Sequence, residues 1–302
     1  MAKTQGHPRL RGHHERRLRI HRRPHQGHRA LRQPRQKGVT SVPTLQAINI
    51  APVKSLGLLQ PRSVTVGQSG VAEDRLFCVV DEQGRMVTQR QIGEMVQVRA
   101  EYRREPALRG IEGAESLRLV FPDGSVVEGA PRLRERDETK VWGRLVPGRV
   151  VDGDWSAALS DFCGKPLRLV RADAAPHYLD EFPVSLLSGA SVDELARRSD
   201  GSVAFDARRF RPTLLITGAK PHEEDTWLGR TVRIGASLRL RVVARDPRCA
   251  ITTHDPDTGE RDVDTLGLIL SYRPDPKAAY FGVYATVEQP GAVSVGDKVT
   301  PE

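Results

Sequence analysis

From Pro43 onward a turn signal interrupts the chain about every 8–12 residues, and the stretches between interruptions alternate apolar with polar residues. The spacing therefore directs the first part of the body into short strands wrapped as a small barrel or sandwich. The run "LQAINIAPV" (45–53) alternates and stops at "KSLG". "RSVTVG" (62–67) follows, then "RLFCVVDEQGRMVTQR" (75–90), where Glu-Gln-Gly between two apolar runs predicts a hairpin. "VQVRAEYR", "SLRLVFPDGSVVEG" and "KVWGRLVPGRVVD" continue the pattern, the middle one turning at Pro122-Asp123-Gly124.

Near Asp154 the texture changes. "DWSAALSDFCG" predicts a helix with Asp154 as its N-cap and Gly164 just past its end, and Cys163 is a packing residue in its last turn. "LRLVRA" is a strand. "HYLDEFPVSLLSGASVDELARRS" brings a second helix, in which Ser191 and Glu194 have the spacing of a capping box. "FRPTLLITG", "TVRIGASLRLRVVAR", "AITTHD" and "FGVYATVEQPGAVSVGDKVT" read as strands again. The expected fold class is α+β, mainly β: a basic disordered arm over 1–42, an N-terminal β-barrel-like domain over 43–153, and a mixed β-barrel domain with a few helices over 154–302.

The formal net charge of +9 sits wholly in the first forty residues, which hold 12 Lys+Arg, one acid and six of the nine histidines. The remainder carries 35 Lys+Arg against 37 Asp+Glu, so the body has no electrostatic reason to bind nucleic acid. An organelle leader, a nucleic-acid or membrane-surface tail, and a start codon assigned too far upstream all produce such an arm; the last is the simplest account. No apolar run reaches the roughly eighteen residues of a membrane span, and no signal peptide is expected. Cys78, Cys163 and Cys249 are odd in number and far apart, which predicts free thiols in a reducing, cytoplasmic setting. There is no CxxC and no cluster of four cysteines to hold an iron–sulfur centre.

Cys249 lies in "VVARDPRCAITTHDPDTGERD" (242–262), where an alternating apolar run meets Thr-Thr and Asp-Pro-Asp-Thr-Gly. One reading is a plain hairpin: a strand ending at Cys249-Ala250-Ile251, a polar turn at Asp255–Gly259, and an idle thiol. The other is a reactive cysteine, because Arg248 adjoins it, Arg245 is close, and cationic neighbours favour the thiolate that attacks or binds a soft metal. The residues alone leave both open.

"RCAITTHDPDTGE", with "FRPTLLITG" before it and "FGVYATVEQPGAVSVGD" after, resembles the MOSC domain, named for the C-terminal domain of molybdenum-cofactor sulfurase. "INIAPVKSLG" and "GVAEDRLFCVVDEQGRMVTQR" resemble the β-barrel domain that precedes MOSC in amidoxime-reducing proteins. The likeness runs from about Leu45 to Val299 and rests on the motifs in this order. It implies a MOSC-type barrel for the second domain and a molybdenum cofactor (molybdopterin with molybdenum) whose metal takes Cys249 as its protein ligand. It also implies cofactor contacts from Lys54, Ser55, Arg75, Ser191, Arg211, Thr213 and Arg248.

Each has a plainer alternative. Lys54 and Ser55 suit a strand-end turn, Arg75 and Arg211 can pair with Asp74 or Asp206, and Ser191 suits a helix start, whose amides also attract phosphate. Thr213 stands where the family commonly has Asn, and His254 where it usually has an apolar residue; His254 is a loop histidine or a proton donor near the metal. Arg90 orients substrate or cofactor, or is a hairpin surface arginine. The resemblance implies an oxidoreductase that removes oxygen from small N-hydroxylated compounds with electrons from an external flavoprotein or iron–sulfur protein. The alternative is a sulfur carrier, with Cys249 bearing a persulfide for metal–sulfur assembly. Pyridoxal phosphate, a family-level association through a separate sulfurase domain, is not expected.

Overall fold

The computed structural model describes residues 42–105, 113–199, 201 and 203–302, so the basic arm expected over 1–42 lies, but for Val42, outside the described residues. Ten strands come first: β1 (Thr44–Ile48), β2 (Ser63–Gly67), β3 (Gly70–Val71), β4 (Phe77–Val80), β5 (Met86–Val87), β6 (Arg99–Arg104), β7 (Glu115–Val120), β8 (Val126–Gly129), β9 (Arg132–Val141) and β10 (Arg144–Asp152). Helix α1 (Trp155–Cys163) leads to β11 (Arg168–Ala172), β12 (Val184–Ser188), α2 (Gly189–Arg198), β13 (Leu214–Thr217), β14 (Thr231–Ile234) and β15 (Leu238–Pro247). Helix α3 (Thr265–Tyr272), β16 (Tyr280–Gln289), β17 (Gly291–Ser294) and β18 (Val299–Pro301) complete an α+β, mainly β architecture.

Period-two alternation builds the larger sheet, ordered β1-β13-β12-β16-β15-β14-β18. In β15, Leu238, Leu240 and Val242 enter the core, whereas Arg239 and Arg241 point outward to Glu302 and Glu288. Thr44 bridges Lys298 beside β18, and the Val299 N–H donates to the Pro43 carbonyl at 2.7 Å, so the two edges of the sheet meet and nearly close a barrel. Its interior holds Leu45, Ile48, Leu186, Leu214 and Val283, each side chain contributing roughly 1.5–3 kcal/mol on burial.

The five-stranded sheet β5-β4-β11-β10-β9 is covered on both faces at its β4 and β11 strands, while β9 is largely exposed. Every residue of β4 is therefore buried: Phe77 and Val79 pack toward α1 and the β6-β7-β8 sheet, Cys78 and Val80 toward Val146 and Tyr178. Burial pushes the Cys78 thiol up to about 12 and the Cys163 thiol up to about 11, leaving both unreactive.

The hairpins expected at Glu-Gln-Gly and at Pro122-Asp123-Gly124 form as β4–β5 and β7–β8. Three local expectations are corrected. "AITTHD" is a 3-10 turn over Ala250–Thr253, not a strand, because the Thr252 and Thr253 hydroxyls donate back to the carbonyls of Cys249 and Ala250 at 3.0 and 2.6 Å. There is no capping box at Ser191: Ser188 caps α2 by accepting the Ala190 N–H, and Glu194 pairs with Arg197 and Arg198. Asp154 precedes α1 but makes no side-chain capping bond.

Candidate functional site

Residues far apart in sequence converge on one cavity of about 1180 Å³, larger than the ~300–1,000 Å³ of a usual small-molecule site. Lys54, Ser55, Arg75, Arg211, Thr213, Arg248 and Cys249 all line it, and so does Arg90. Ser191 is not brought to it. Its buried hydroxyl donates to Glu224 at 2.8 Å and accepts the His222 N–H at 2.8 Å, which ties α2 to the 222–224 turn.

Backbone strain gathers here. Among the described residues five non-glycines have positive φ, and four of them line the cavity: Ser55 at 72°, Arg75 at 52°, Trp142 at 49° and Arg211 at 49°. Left-handed backbone costs an ordinary residue on the order of 1–3 kcal/mol, and such positions persist where the surroundings over-determine them.

Nine Lys and Arg side chains line the cavity against five carboxylates. Arg75 pairs with Asp74, the plainer of its two readings, and Asp74 also accepts the Ala51 N–H at 2.7 Å, so this guanidinium is locked to the wall. Lys54 donates to Asp180 at 2.7 Å and to the Tyr178 carbonyl at 2.8 Å, two of its three N–H groups. Enclosure in the cavity opposes ionisation of Asp180, but Lys54, the Trp142 N–H and Arg75 prevail and hold its carboxyl far below the usual range. Arg211 is different. It donates to the Leu56 carbonyl at 2.7 Å, and no carboxylate pairs with it among the described residues; Asp206 goes to Arg208 instead. Burial, then repulsion from Arg75, pushes Arg211 down to about 9. A guanidinium does not release its proton in a protein, so this position lacks an anion.

Thr213 is engaged with Ser185, whose hydroxyl accepts the Thr213 N–H at 2.9 Å and whose own N–H donates to the Thr213 hydroxyl at 3.2 Å. Arg248 is buried against Asp246 at 2.7 Å and donates to the carbonyls of Phe281 and Phe210 at 2.6 and 2.8 Å. Arg245 pairs with Asp275 and lies 4.2 Å over the Tyr280 ring. The two cations next to Cys249 in sequence thus anchor its loop. Cys249 itself is a free, half-buried thiol at the start of the 3-10 turn, on the cavity wall, and its sulfur makes no capping bond.

His254 lines a smaller cavity with Gln89, Arg208, Arg209 and Arg211. Its Nε2 accepts from Arg261 at 3.1 Å, and burial and Arg261 push its pKa down, so it is not a ready proton donor. Sequence reasoning missed Trp142, Asp180, Asp246 and Tyr284, all on the main cavity. Only "RDPRC" carried a signal: a carboxylate three residues before the cysteine. Burial pushes Asp246 up to about 7 against the opposing pull of Arg248 and Tyr284.

No group of three or more His, Cys, Asp or Glu among the described residues is placed to hold a metal ion. A metal bound at Cys249 has to bring its other ligands with it, as a metal carried by an organic cofactor does. A solitary thiol, a cationic wall and a half-buried guanidinium lacking an anion fit an anionic, metal-bearing group of this kind.

Two family models match successive stretches of the chain. The family model for the MOSC N-terminal beta barrel domain matches residues 42–166, and that for the MOSC domain matches residues 173–300. The chain is 30% identical to mitochondrial amidoxime reducing component 2 of Bos taurus, over 90% of this chain and 87% of that protein. It is 30% identical to mitochondrial amidoxime-reducing component 1 of Mus musculus, over 90% and 86% of the two chains. Component 2 of Homo sapiens is 28% identical, over 88% and 85%.

Proposed function

This chain belongs to the MOSC domain family, with the MOSC N-terminal beta barrel ahead of the MOSC domain, and on that footing we propose that it reduces N-hydroxylated compounds with a molybdenum cofactor. The observation that carries the reading is the placement of Cys249 on a strained, cation-rich cavity that also holds Arg211 without an anionic partner. When bound, the cofactor supplies a two-electron couple at its metal. The chain supplies the rest.

Cys249 offers the thiolate ligand. Arg211, Ser55 and the unused N–H of Lys54 hold the anionic end, and Arg75, fixed by Asp74, adds its field. Arg248 and Thr213 act through others: Arg248 pins the Cys249 loop to Phe281 and Phe210, and Thr213 pins Ser185. In the overall reaction the N–O bond breaks, two electrons and two protons enter, and the oxygen leaves as water. The electrons come from a separate flavoprotein or iron–sulfur protein. Free Cys78, Cys163 and Cys249 accord with a reducing compartment such as the cytoplasm. No helix of the described residues is long and apolar enough to cross a membrane.

Sulfur carriage is the weaker reading, because a carrier thiol has to reach a partner protein and Cys249 is half-buried in a cavity wall. The test is benzamidoxime reduction by protein from a cofactor-making host, driven by a chemical reductant. Wild type turns over; Cys249→Ala falls to background with an unchanged circular dichroism spectrum. Equal turnover in the variant removes Cys249 from the chemistry.

A further inference from the structure

The turn joining β9 to β10 carries an indole where the backbone disfavours one. Val141 pairs with Arg144, leaving Trp142 and Gly143 as a two-residue turn, and their φ angles are 49° and 92°. Both central positions are left-handed, the geometry that Asn-Gly or Gly-Gly adopts with least strain. Core packing does not explain the tryptophan. Val141 and Val146 join the hydrophobic cluster beneath the hairpin, whereas Trp142 is 61% exposed.

The cavity holds the side chain instead. The Trp142 Nε1–H donates to Asp180 Oδ1 at 2.9 Å, the same oxygen that Lys54 engages. The Arg90 guanidinium lies over the ring, 5.2 Å from its centroid. The edge of the indole is thus fixed, a cation backs one face, and the exposed remainder borders the cavity. A ring held in this way is a preformed stacking surface, because an aromatic partner meets it with no further ordering of the side chain.

Resting on the reductase reading above, we propose that Trp142 is a stacking platform that selects planar aromatic N-hydroxylated substrates over aliphatic ones. Trp155 and Trp227 are buried, which leaves Trp142 as the exposed fluorophore among three tryptophans. Titration of the full chain without reductant should show saturable quenching by benzamidoxime and none by acetamidoxime. Trp142→Asn restores the favoured Asn-Gly turn, so it should melt at or above the wild-type temperature while losing the quench. In the loaded enzyme it should raise KM for benzamidoxime about tenfold more than KM for acetamidoxime. Trp142→Phe, which keeps a ring but not the N–H that fixes it, should recover only part of the loss.

An unchanged KM for benzamidoxime in Trp142→Asn, or an equal rise for both amidoximes, overturns the platform. If neither amidoxime is reduced by wild type, the reductase reading fails. The turnover-free titration then decides the platform by itself, supporting it if benzamidoxime alone quenches and overturning it if both or neither do.

Discussion

Arg211 keeps a full positive charge in a half-buried position with a carbonyl, not a carboxylate, as its hydrogen-bond partner. Taking a charge out of water without a counter-charge is unfavourable, and the proposed anionic group would supply one. Asp246 shows the opposite sign of the same effect. Its carboxyl is raised by burial to about 7, above its ordinary value near 4 in an unfolded chain. A raised folded value means that the folded state binds the proton more tightly. The stability it contributes is full below about pH 4 and disappears as pH climbs through 7. Asp246→Asn removes that titration while leaving Arg248 without its partner at every pH. Urea unfolding at pH 5 and pH 8 should therefore show wild type losing on the order of 2 kcal/mol more than the variant between the two. Parallel losses would show that Asp246 is ionised in the folded protein at both pH values.

At the level of elements, the β15–β16 pairing does the positioning. Its register shifts three times, one of them between Arg245 and Pro247, which releases the chain into the Cys249 loop. Gly282 sits opposite with φ of 82°, where an added Cβ would lie 2.8 Å from the Leu186 carbonyl oxygen and 3.1 Å from Arg248 Nη2. Gly282→Ala should cost about 1–3 kcal/mol in urea unfolding and loosen the Arg248 anchor; wild-type stability would mean that the strand yields freely. The alternation that made β7 and β15 legible in the sequence, and the apolar run ending at a turn that marked β4, are properties of neighbouring residues. The 3-10 turn after Cys249 was not legible, because "AITTHD" has strand-like composition and its two threonine hydroxyls turn back on their own backbone. Helix α3 went unread for a similar reason: its short apolar run "TLGLILSY" lacks a polar face, and its start depends on the Asp264 carboxylate accepting the Gly267 N–H. The Trp142-Gly143 turn was hidden because Trp is a poor residue for it.

Across the whole molecule, the cavity is assembled from contacts that no local pattern encodes. Arg211 reaches Leu56 across 155 positions of sequence, and Lys54 reaches Asp180 across 126. The eight candidate site residues offered by the sequence came from motif resemblance, and seven of them line one cavity. Asp180 and Trp142 complete that wall through a partner and a hairpin tip, so only folding shows them. The assembled cavity amounts to a cationic hollow with a single sulfur on its wall. X-ray absorption at the molybdenum edge, on wild type and Cys249→Ser from a cofactor-making host, examines that sulfur directly. A bond between Cys249 and the metal predicts molybdenum in the wild-type protein and one sulfur neighbour fewer in the variant. A wild-type protein without molybdenum, or the same sulfur environment in both, would contradict it.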